Sequence, residues 1–115
     1  MILAILAATA VSTAPAPDLV CRAGYRTLSR RIVAAGLLYL PPREDRPWAE
    51  YTTPEGVRPA RRYRVSRPGA EGHPAIVMTE VAASSAGVDI LTTVCCWGDS
   101  RECRNLRQDA RSGEH

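Results

Sequence analysis

The chain has no lysine and no phenylalanine, and only two histidines, two tryptophans and four tyrosines among its 115 residues. Each shortage narrows what the protein can be. His115 ends the chain, so any Ser-His-Asp or Cys-His arrangement has His73 as its one internal base, and His73-Pro74 reads as a turn. Carboxylates adjoin only at Glu44-Asp45, in a proline-rich stretch that reads as solvated surface rather than a buried acid and base. No enzyme and no cofactor are expected. The cysteines stand at 21, 95, 96 and 103, so the C-x-x-C spacing of zinc ribbons and thioredoxin-like redox centres is missing. The lack of phenylalanine thins aromatic burial, and a small core then needs another source of stability.

Long apolar runs are equally scarce. Residues 1–16 carry no charged side chain, but the apolar run is too short to span a bilayer and ends in the small residues Ser12-Thr13-Ala14 and Ala14-Pro15-Ala16. The segment reads as an export signal cleaved near residue 14 or 16. No Lys or Arg precedes the run, whereas Arg22, Arg26, Arg30 and Arg31 come after it, against the usual bias. Leu19-Val20-Cys21 departs from a lipid-attachment pattern, which wants a small residue before the cysteine. A periplasmic or secreted protein is therefore expected, with no transmembrane segment in the mature chain. Residues 17–111 have the length of one small domain, and 112–115 reads as a flexible tail.

All fifteen basic residues are arginine, a bias in which coding composition counts as much as chemistry. The net charge of +3 is too small to specify a nucleic acid or a membrane surface as partner.

Along the chain, Tyr25, Leu28, Ile32, Ala35 and Tyr39 recur at helical steps, which predicts a helix within Ala23 to Leu40. Gly36 and Ile32-Val33 leave a strand over Ile32 to Leu40 as the alternative, and either way the half from Ile32 is apolar enough to be deeply buried. Residues 41–56, with Pro41, Pro42, Pro47 and Pro54, read as an exposed loop carrying Trp48 and Tyr51. Arg62 to Arg67 alternates as a strand that puts Tyr63 and Val65 on one face and Arg62 and Arg64 on the other. Ala75 to Val81 and Val88 to Trp97 form a predicted hairpin, the second strand being apolar on both faces. Arg101 to Arg111 has room for a helical turn or two, with Asp99 or Ser100 as its cap. The expected fold is α+β: one N-terminal helix packed on a small, mostly antiparallel sheet of three to four strands, braced by disulfides.

Four cysteines in an exported domain read as two disulfides. Neighbouring Cys95 and Cys96 cannot bond each other without strain, and in a strand they point to opposite faces. One of them reaches Cys103 across the turn and the other meets Cys21, which leaves two pairings open. The competing reading is a thiolate metal or redox site built from Cys95, Cys96 and Cys103. The remaining feature is a basic stretch, Arg58, Arg61, Arg62, Arg64 and Arg67, free of acids and wrapped around Tyr63. It reads either as the solvated face of an edge strand or, with Trp48 and Tyr51, as a surface that holds an anionic envelope component or an acidic protein surface. Export argues against nucleic acid. The expected role is that of a non-enzymatic binding or envelope-associated accessory domain.

Overall fold

The computed structural model describes residues 16–112. A short 3-10 turn, Cys21–Ala23, leads into α1 (Tyr25–Ala34). Five strands come next, β1 (Leu38–Leu40), β2 (Trp48–Thr52), β3 (Ala60–Ser66), β4 (Ala75–Ser84) and β5 (Gly87–Cys96), and the chain closes with α2 (Ser100–Ser112). The strands pair antiparallel in chain order, β1-β2-β3-β4-β5, as a meander. The α+β class and the disulfides are as expected, but five strands replace three to four and two helices replace one. Both additions have local causes. Pro47 and Pro54 bracket β2 rather than interrupt it, so the stretch 41–56, expected to be a loop, contains a paired strand. Asp99 caps α2 by accepting the N–H groups of Arg101 and Glu102 at 3.1 and 3.2 Å, and the helix runs to Ser112, the first residue of the expected tail.

The helix before the sheet ends earlier than its apolar run. Gly36 adopts φ +69°, a left-handed position that stops α1 and turns the chain into β1. Deep burial of this half is therefore not observed: Leu28, Ile32 and Ala35 are buried, whereas Val33, Leu38, Tyr39 and Leu40 are 60, 59, 52 and 48% exposed. The last three lie on β1, an edge of the sheet. The basic stretch shows the opposite error, since β3 is the central strand and not an edge.

Period-2 alternation sorts the sheet into two faces. Ala49, Tyr51, Tyr63, Val65, Ile76, Met78 and Cys95 pack with Leu28 and Ile32 of α1. On the other face Ala75 and Val77 pack with Leu106 of α2, flanked by Trp48, Val94 and Cys96. These faces decide the disulfide pairing. Cys95 faces α1 and bonds Cys21, just before that helix, with Cα atoms 5.2 Å apart; Cys96 faces α2 and bonds Cys103, with Cα atoms 5.6 Å apart. Gly72 adjoins the second bridge at φ +82°, where a Cβ would lie 2.8 Å from Cys96 Sγ. Glu102 pins α2 to the same loop by accepting the Gly72 N–H at 2.7 Å.

Because Cys96–Cys103 closes only a short loop, replacing both cysteines with alanine should cost about 2 kcal/mol. Hydrogen exchange should show that loss in the amides of α2 while those of β2 and β3 keep their protection. Equal deprotection of the whole sheet would rule out this local role.

Residues 16–18 are held on the α1 face. The Tyr63 hydroxyl donates to the Pro17 carbonyl at 2.6 Å, and Arg61 donates to the carbonyls of Ala16 and Pro17 at 3.1 and 3.2 Å. The expected export signal lies outside the described residues except for Ala16, as does the expected tail beyond Ser112. No helix of the described residues is long and apolar enough to cross a membrane. Two disulfides fit a chain that folds in an oxidising environment.

Candidate functional site

Folding divides the basic stretch into separate surfaces. Arg61 shares the α1 face with Tyr63; its side chain, 13% exposed, pairs with Glu80 at 2.7 Å and Asp18 at 3.0 Å besides the two carbonyls. Its charge is fully committed inside the protein. Arg58, in the loop before β3, lines a cavity beside residues 16–18. Arg67 lies past the end of β3 and lines a groove next to α1 together with Tyr51. Arg62 and Arg64 remain together on the α2 face, and Trp48 joins them.

These three residues line a pocket of about 570 Å³ between α2 and the sheet. The antiparallel register sets them side by side, with Glu50 opposite Arg64 and Trp48 opposite Ser66. Thr79 of β4 and Thr92 of β5, paired across the hairpin, extend the lining, Glu71 and Asp109 add acidic groups, and Val81, Ile90, Leu106 and Ala110 make the rest of it apolar. Glu50 is 8% exposed and serves two arginines, Arg46 and, at 3.6 Å, Arg62. Arg64 is left over. Among the described residues it has no acid within ion-pair distance, its Nε is buried without a hydrogen-bond partner, and its guanidinium carbon lies 5.7 Å from the Trp48 ring centroid. Burial first, then the charge of Arg62, pulls its pKa below the ordinary arginine value. A half-buried guanidinium that feels Glu50 only beyond ion-pair distance and otherwise rests on an aromatic face is costly, and a bound carboxylate would remove that cost through a forked pair of charged hydrogen bonds.

The opposite wall narrows the ligand further. Glu71 and Asp109 have no basic partner within ion-pair distance among the described residues, so a polyanion meets repulsion there. A group with one carboxylate and a neutral or cationic remainder suits both walls.

No family model, no curated protein and no solved structure matches this chain.

The other candidates are accounted for by packing. Ser66 Oγ lies 2.7 Å from His73 Nδ1 and accepts the Ala75 N–H at 2.7 Å, but Ser66 has no exposed surface, so a substrate cannot reach its hydroxyl. Cys21, Cys95, Cys96 and Cys103 are all in disulfides, so in this state none of them is a free thiol. Sequence reasoning missed Glu71, Thr79, Thr92 and Asp109, which lie on four different elements or loops. The alternation of Arg62 and Arg64 was the one available signal for the pocket. Nothing local marks Asp109 as its opposite wall.

Proposed function

We propose that the protein is a periplasmic or secreted, non-enzymatic binding domain, an envelope-associated accessory protein that takes a carboxylate-bearing partner in the pocket beneath α2. The observation that carries this reading is Arg64, a half-buried guanidinium with no acid of its own. Trp48 stacks against it, the hydroxyls of Thr79 and Thr92 supply further polar contacts, and Glu71 and Asp109 select a partner whose far end is not anionic. An envelope component or protein segment with a carboxylate beside a basic group has this chemistry. The disulfides support service outside the cytoplasm.

Amide chemical-shift titration of the oxidised protein tests the reading with three probes. Lysine presents a carboxylate and a cationic far end, glutarate two carboxylates, and cadaverine none. Lysine is expected to shift the amides around Trp48, Arg64, Thr79 and Thr92, glutarate to bind more weakly, and cadaverine to leave them in place. If cadaverine bound as well as lysine, the arginine would have no part in recognition.

A further inference from the structure

Two buried side-chain polar atoms lack a hydrogen-bond partner among the described residues: Arg64 Nε, beneath α2, and Ser29 Oγ, on α1. Ser29 lines a different cavity, a groove of about 490 Å³ between α1 and the sheet. Its floor is apolar, formed by Tyr51 of β2 and Val65 of β3, and Val33, 60% exposed, extends the apolar lining along the helix. Arg26 and Arg30 on α1 and Arg67 after β3 also line it, with Tyr25 and Ala34, and no acidic residue does. All three are exposed, and none has an acid within ion-pair distance among the described residues. In contrast, each arginine that is acid-paired among the described residues, Arg43, Arg46, Arg61 or Arg62, lies outside this groove.

We infer that this groove is a second binding site, for a single amphiphile with one anionic head group: an apolar chain lies along Tyr51, Val65 and Val33, and Arg26, Arg30 and Arg67 hold the head. Burial of the chain supplies the non-directional part of the affinity, and the guanidiniums supply charged hydrogen bonds to a carboxylate or phosphate. The occupant is a monomeric amphiphile rather than a bilayer surface, because the apolar residues Tyr51 and Val65 are the buried floor of a groove and do not protrude. The site is independent of the pocket beneath α2, which has mixed charge and lies on the other face of the sheet.

Isothermal titration of the oxidised protein with decanoate, held below its micelle concentration, tests the inference. Decanoate is expected to bind more than about tenfold tighter than acetate, because only it carries the chain. Decanol, which lacks the charge, should bind at least about tenfold more weakly than decanoate. Arg26→Gln, Arg30→Gln and Arg67→Gln made together should weaken decanoate by about tenfold and bring it towards decanol. Because one carboxylate with a neutral remainder also suits the pocket beneath α2, decanoate is titrated into Arg64→Leu as well, in which the tight, chain-dependent binding should persist, while the triple variant should keep its response to lysine at Arg64, so the two sites fail separately. The inference is overturned if the triple variant binds decanoate as the parent does. It is equally overturned if the protein sediments with anionic phospholipid vesicles but does not bind monomeric decanoate.

Discussion

Replacing Cys21 and Cys95 together with alanine is expected to lower the stability of the domain by about 4 kcal/mol. The bridge joins residues 74 positions apart, so its loss restores to the unfolded chain the freedom of nearly the whole domain. A domain of this length has about 5 to 15 kcal/mol in total, so the variant should be left with a small remainder or none. The damage is not confined to chain entropy. Cys95 is buried against Leu28, Ile32, Tyr63 and Ile76, and Cys21 holds the start of α1 near the last strand, so α1 loses its tether to the sheet it covers. Residues 16–18, which reach the sheet through Tyr63 and Arg61, should come free with it. Urea denaturation monitored by circular dichroism measures the effect. A midpoint displaced by the equivalent of less than about 1 kcal/mol would show that burial alone holds α1 in place, against the brace assigned to this bridge.

Arg64→Leu is expected to act in opposite directions on stability and on binding. Leucine removes a half-buried charge that has no acid partner and fills part of the same space with apolar atoms, which in comparable buried sites is neutral or stabilising. A gain of about 1 kcal/mol is expected, against which the lost contact with the Trp48 ring sets a smaller cost. For a domain of this size that gain corresponds to about 4 to 8 °C in melting temperature. Binding of lysine should meanwhile fall by about 10- to 100-fold, the loss of one or two charged hydrogen bonds. Arg64→Lys keeps the charge without the planar fork and should fall between parent and leucine variant in affinity. A residue kept for structure would give the reverse pattern. If Arg64→Leu lost more than about 1 kcal/mol of stability and bound lysine unchanged, the pocket would be part of the packing and the proposed site would be withdrawn.

The two sites differ in how far they can be read from neighbouring residues. Arg62 and Arg64 alternate with Tyr63 and Val65, and period 2 alone puts the two arginines on one face. Arg61, adjacent in sequence, is sent by the same rule to the other face, where Glu80, Asp18 and two carbonyls occupy it. A count of basic residues cannot make that distinction. In the α1 groove, Arg26 and Arg30 are four positions apart and Val33 three further on, a spacing that marks one side of a helix. Its apolar floor, however, comes from Tyr51 and Val65, and by composition Tyr51 belongs to a loop. Proline content misleads there, because Pro47 and Pro54 sit just outside the residues that pair with β3.

Some features are legible in the residues alone: an α+β chain, the early helix, the β4–β5 hairpin and two disulfides joining Cys95 and Cys96 to different partners. Each rests on local pattern, whether helical steps, alternation, turn residues, or the impossibility of an unstrained bond between neighbours. Packing across the chain settled the rest. It chose Cys21 for Cys95 and Cys103 for Cys96, made β3 central, recruited β1 and β2 as strands and set the two helices on opposite faces. Those outcomes depend on which apolar faces cover one another, and residues far apart in sequence determine that jointly. The proposed binding pockets arise in the same way, since each lies between a helix and a sheet face that meet only when the whole chain has folded.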